Sequence, residues 1–126
     1  MNKLLPWGPL VARIVVGGFF IMSGVAKITG FAGIVAFAAS AGLPAPALAI
    51  MIAIVVELLG GLSVLLGYKI QWGALALALF VVATAVLFHA DFADQAQQTA
   101  FMKNLAIAGG LLYMARFGPG KMSIEK

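Results

Sequence analysis

Cysteine is absent from the chain, and charge and histidine are scarce. Without a thiol the protein has no CxxC exchange, iron–sulfur ligation or thiolate zinc site of its own, so any redox role needs a borrowed cofactor or a partner. The one histidine, His89, cannot supply both axial ligands of a b-type haem except across a dimer. Only 10% of the residues are charged, whereas soluble domains run near a quarter. No basic cluster with interleaved aromatics is present, which argues against a nucleic-acid partner. His89, Asp91 and Asp94 are of metal-ligand type but share a short polar loop, and no metal site is expected there.

What fills the chain is hydrocarbon. Of its 126 residues 63% are hydrophobic and the mean hydropathy is +1.11, the composition of an integral membrane protein. At this length residues 1–126 make one domain, and any chemistry sits in or beside the bilayer. The N-terminus begins like a signal peptide, with Lys3 and an apolar run. Arg13 interrupts that run and no small-x-small site follows, so a retained first helix is expected.

A membrane-spanning helix needs about 20 apolar residues. Four such runs occur, at about residues 8–29, 47–68, 72–88 and 101–117. "GLPAPA" marks a turn and a helix start before the second, "YKIQW" is a tight link before the third, and "GPG" ends the fourth. The uncharged "FAGIVAFAASAGLP" is too short to span and predicts a short helix at the surface or re-entering the bundle. Residues 89–100, "HADFADQAQQTA", predict a polar loop. The expected fold is all-α, an integral membrane four-helix bundle held by close approach at its 15 glycines. Its small size favours a homo-oligomer or a place in a complex.

With four crossings both termini share a side. Lys3, Lys69, Arg116, Lys121 and Lys126 fall there, against Lys27, Lys103, Asp91 and Asp94 on the other, which puts the termini in the cytoplasm. Trp7, Tyr68, Trp72 and Tyr113 fall at the same interface, as an aromatic belt should.

Ionisable groups inside spans are costly and are functional candidates by default. Measured from the aromatic level at about 1.5 Å per residue, Arg13 lies at roughly 9 Å, Glu57 at roughly 16 Å and Asn104 at roughly 18 Å, with His89 at roughly 25 Å and Lys27 near 30 Å. Arg13, Gly17, Phe20, Gly24 and Lys27 fall within about 80° of one another on the first helix. Ala53, Glu57, Gly60, Gly61 and Val64 share a face of the second. The carboxylate is therefore expected inside the bundle with Arg13 as its partner. Lys27 either reaches the outer headgroups or joins this site. Lys103 reads as an end-of-helix anchor. Glu57, Arg13 and His89 are the candidate catalytic groups, and Asn104 and Lys27 the candidate cofactor-binding ones.

Arginine in the first helix followed by "GGFFIMSGVAKI", then "GLP", "ELLGGLSVLLG", a histidine closing the third helix and "KNLAIAGGLLYMARFGPG" together resemble the DoxX family of small bacterial membrane proteins. The likeness runs from about Arg13 to Gly120, and the glutamate before the glycine pair is its most specific element. The family's polar positions match Arg13, Lys27, Glu57, His89 and Asn104. The resemblance implies a four-helix protein of the bacterial inner membrane. It also implies kinship with subunits of a thiosulfate:quinone oxidoreductase and with members tied to oxidative-stress and thiol metabolism through soluble partners. At 126 residues the chain is expected to lack the extra domain of the longer thiosulfate-oxidising subunits.

Three functions fit these residues. The first is a membrane subunit of a redox system that holds a quinone or similar lipophile, with Asn104 and His89 donating to a carbonyl oxygen, Glu57 moving protons, and a soluble partner supplying electrons. No cofactor is dictated, and a quinone is the one that fits. The second is a small proton-coupled transporter built on Glu57, which a basic partner would oppose. The third is a non-catalytic scaffold whose polar residues fix bundle register.

Overall fold

The structure is a computed structural model that describes residues 7–88 and 93–120. Among them it contains five helices and no strand: α1 (Gly8–Thr29), α2 (Phe31–Ser40), α3 (Pro46–Leu66), α4 (Ile70–Phe88) and α5 (Gln95–Phe117). Helices α1, α3 and α4 are each long and apolar enough to cross a bilayer. At 10 residues, α2 is the expected short helix and is too short to cross.

Local chemistry sets the helix ends. A proline in the first turn opens both α1 and α3, where its missing N–H costs nothing. Between Pro44 and Pro46, Ala45 takes a left-handed φ of 47°, which forces the sharp entry into α3. Gly67 in the same region, at φ 71°, ends α3 and lets α4 begin three residues later. The expected polar loop at 89–100 is shorter than predicted, because α5 already begins at Gln95. Asp94 is the reason: its carboxylate accepts a hydrogen bond from the Ala96 N–H at 3.0 Å, a side-chain N-cap on a run of helix-compatible Gln and Ala.

The faces read from the sequence are the ones that pack. Arg13, Gly17, Phe20 and Gly24 are buried on α1, and Ile50, Ala53, Glu57, Gly60, Gly61 and Val64 on α3. Glycine explains how closely α1 and α3 meet. A methyl group at Gly17 would lie 2.7 Å from the Gly61 carbonyl oxygen, and one at Gly61 would lie 3.0 Å from the Gly17 carbonyl oxygen. A methyl at neighbouring Gly60 would instead lie 2.7 Å from Leu77 of α4. The glycine pair thus seats α3 against two helices at once. Gly109 and Gly110 on α5 do not form such a seam, since a methyl at either would meet open space.

Packing runs in sequence from α1 to α3, α3 to α4 and α4 to α5, with α2 resting on α3 and α1. Nowhere do α1 and α5 approach within 8 Å between Cα atoms. The long helices therefore follow one another in an arc whose first and last members meet through side chains at the core, Phe20 with Ala108 and Leu111, and through Gly120 against Pro9 just beyond α5. Phe20, Val64, Leu77, Ala78, Val81, Ala108 and Leu111 form the core that α1, α3, α4 and α5 share. The outward faces, including Val15, Met22, Leu59 and Leu79, are exposed and apolar, as a lipid-facing surface must be.

Candidate functional site

Above this core lies a cavity of about 440 Å³ walled by residues of all five helices. Most of the wall is apolar, with Phe19, Phe20, Phe37, Phe80 and Phe88 among its residues. Its polar members fall in two groups: Ser23 and Lys27 of α1 with Glu57 of α3, and Thr84 of α4 with Asn104 of α5.

The first group is organised around an ion pair. Lys27 Nζ lies 2.7 Å from Glu57 Oε1, and the Glu57 side chain is 3% exposed. The contact is ionic without being a well-aligned hydrogen bond, for Oε1 is buried with no directed donor. The same Nζ donates to Ser23 Oγ at 2.9 Å. Three consequences follow from the donor inventory. Lys27 Nζ directs one of its three hydrogens to Ser23, the Ser23 hydroxyl hydrogen is not taken by a described residue, and Glu57 Oε2 accepts from no described residue. The pair is neutral as a whole, which suits a neutral guest.

The second group fixes α5 to α4. Thr84 Oγ1 donates to the Val81 carbonyl oxygen at 3.0 Å, and Asn104 Nδ2 reaches that carbonyl at 3.1 Å and Thr84 Oγ1 at 3.2 Å. Because Val81 O can only accept, the amide nitrogen must be the atom facing it, which settles the amide orientation. The amide nitrogen thus donates to both acceptors, while Oδ1 accepts from no described residue.

Two sequence expectations change. Glu57 is paired with Lys27, not with Arg13. Arg13 Nη1 donates instead to the carbonyl of Leu65 at 3.2 Å, in the last turn of α3, and Arg13 is not among the residues that wall the cavity. A cation at a helix C-terminus is favourable, because the last carbonyls lack partners and carry the negative end of the dipole. Lys27 does not extend to the outer headgroups but turns inward. The structure brings Lys27, Glu57 and Asn104 to one cavity, keeps Arg13 apart, and His89 lies outside the described residues. Asp91 lies outside them too, and no metal-ligand cluster occurs among the described residues.

Ser23 and Thr84 are the site residues that sequence reasoning missed. Ser23 had a signal, since it precedes Lys27 by one helical turn on the same face. Thr84 had none beyond its place near the end of a span. Phe37 of α2 and Phe88 of α4 also went unremarked; their rings stack with centroids 5.8 Å apart and cover the end of the cavity farthest from the core.

The DoxX family model matches residues 8–90. The chain is 43% identical over its full length to the inner membrane protein YqjF of Escherichia coli, covering 95% of that protein. It is 37% identical to the inner membrane protein YphA of the same organism, over 93% of this chain and 87% of that one. A relative from Bacillus subtilis, CatD, whose name carries a provisional oxidoreductase label, is 34% identical over 77% of this chain and 72% of its own. No solved structure matches the chain.

Proposed function

The chain belongs to the DoxX family of multi-pass inner-membrane proteins, and on that premise we propose that its cavity holds a quinone or a similar redox-active lipophile as part of a membrane redox system. The observation that carries this reading is two polar groups lining one aromatic cavity, Lys27, Ser23 and Glu57 from α1 and α3, and Thr84 and Asn104 from α4 and α5. A flat ring with an oxygen at each end offers one acceptor, or one hydroxyl, to each group. The apolar rings between them suit its carbon frame. The provisional oxidoreductase label on CatD points the same way.

When bound, a quinone would supply the electron-accepting chemistry that a chain without cysteine lacks. The protein's residues would bind and orient it. Lys27 Nζ would donate to a carbonyl oxygen of the ring, and Glu57 Oε2 and Asn104 Oδ1 would accept from hydroxyls of its reduced form. The Lys27–Glu57 pair, at 2.7 Å, would hold a donor and an acceptor side by side at one edge of the ring. Electrons come from a soluble partner protein. A carboxylate already neutralised by a lysine is poorly placed for proton-coupled cation export, which sets this reading above a transporter. The same proposal includes a single domain with four crossings, the fourth made by the apolar part of α5, cytoplasmic termini, and assembly as a homo-oligomer or complex subunit.

Thermal unfolding of the detergent-purified protein with and without a short-chain benzoquinone tests this. A ligand at a hundred times its Kd should stabilise the protein by about 2.7 kcal/mol. Glu57→Gln and Lys27→Met should each abolish the shift. An unaltered protein that no quinone stabilises ends the reading.

A further inference from the structure

The cavity has two unlike boundaries. Away from the core, α2 lies across it and the Phe37–Phe88 stack ties that cover to α4. Toward the core, Phe20 closes it: the ring is 1% exposed and belongs to the same cluster as Ala108 and Leu111 of α5. Between these boundaries, α1 and α5 both contribute wall residues yet stay more than 8 Å apart between Cα atoms. Phe19 stands at this gap, lining the cavity while remaining 54% exposed on the outward face. Asn104 and Ile107 line the cavity from α5. The outward neighbours Val15 and Met22 on α1 and Leu105 on α5 are exposed and apolar, so whatever crosses the gap meets hydrocarbon.

We propose that the gap between α1 and α5, framed by Phe19 and Ile107, is a lateral window to the bilayer, and that the site takes a head-and-tail lipid: a polar-edged ring held inside, with one long aliphatic chain passing out past Phe19. The inference rests on the redox-lipophile reading and adds how the ligand enters and what shape it has. Size supports a protruding chain. A cavity of about 440 Å³ accommodates a substituted ring and the start of a chain, but not a chain long enough to anchor in one leaflet. Burying a chain fully would also need an apolar tunnel through the core, and Phe20 with Leu111 fills that volume. Phe19 becomes a specificity residue, selecting for a narrow unbranched or prenyl chain at the ring's edge.

The test uses the full chain in lipid nanodiscs and two probes: 2-methyl-1,4-naphthoquinone, and the same ring with a long alkyl chain bearing a diazirine several carbons from the ring. After illumination, peptide mass analysis should place the label on α1 and α5, around Phe19, Met22 and Ile107. Phe19→Trp, which narrows the window, should weaken the chained probe about tenfold more than the tail-less one. Labelling confined to α2 and the end of α4, or equal weakening of both probes, overturns the window while leaving the redox-lipophile reading intact. Failure of both probes to bind the unaltered protein overturns the two together. A Phe19→Trp protein that does not reach the membrane shifts the decision to the labelling map of the unaltered chain.

Discussion

Glu57 meets Lys27 because of the direction in which helical side chains lean. Each Cα–Cβ bond tilts toward its helix N-terminus, so on antiparallel α1 and α3 the side chains lean in opposite senses. Lys27, late in α1, folds back toward the middle, and Glu57 leans toward it. Arg13, early in α1, leans toward the same N-terminal end, away from Glu57, and finds the Leu65 carbonyl. Heights counted from a shared aromatic level put Arg13 nearer Glu57, and that ranking fails because the helices are offset: Glu57 packs beside Gly24, one turn from Lys27, while Arg13 lies level with Leu65. The burial of Arg13 and Glu57 was legible in the sequence; the inward turn of Lys27 and the partnership needed the helix register. Removing one member of a buried pair strands the other charge at a cost of about 3–5 kcal/mol. Lys27→Met and Glu57→Gln should therefore each lower the unfolding temperature and the amount of protein in the membrane. The double variant should recover part of both, measured by thermal unfolding of the three proteins beside the unaltered one. Asn104→Leu should also destabilise, by about 1–3 kcal/mol, because it leaves the Val81 carbonyl and Thr84 hydroxyl without their amide donor.

At the scale of elements, the glycine pair after Glu57 decides how α3 sits. Gly61 admits α1 and Gly60 admits α4, so the stretch that carries the carboxylate also fixes the walls around it. Gly17→Val should disrupt the α1–α3 crossing, because its side chain would collide with backbone atoms of Gly61 and Leu65 that cannot rotate away. A loss of membrane-inserted protein is expected, whereas Gly109→Ala, which meets open space, should be tolerated; comparing the two levels in membrane fractions checks this. The sequence showed α1, α3 and α4 within a few residues, because long apolar runs and proline or glycine punctuation are strong signals. It placed the start of α5 late, because the polar "QAQQ" reads as loop by composition and only the Asp94 cap reveals the helix. Equal weight on all glycine pairs was also misleading: periodicity shows that glycines share a face, but not whether another helix reaches it.

As a whole, the molecule is an arc of helices around a small aromatic cavity with a neutral ion pair on its wall. Five elements contribute to that cavity, several of them far apart in the chain, and a single sequence gives no measure of the space between them. Lys27, Glu57 and Asn104 were legible one at a time; their gathering with Ser23 and Thr84 around one cavity was not. The opening between α1 and α5 follows from packing order and had no sequence signature. These features converge on one claim, that the cavity holds a redox-active lipophile. The most direct test is to purify the protein gently from its own membranes, extract the bound lipids and weigh them by mass spectrometry, with a Glu57→Gln/Lys27→Met protein prepared alongside. A quinone-class molecule should be enriched relative to bulk membrane lipid in the unaltered protein and lost in the double variant. Extracts that match bulk lipid in both preparations, with no quinone enriched, would contradict the claim.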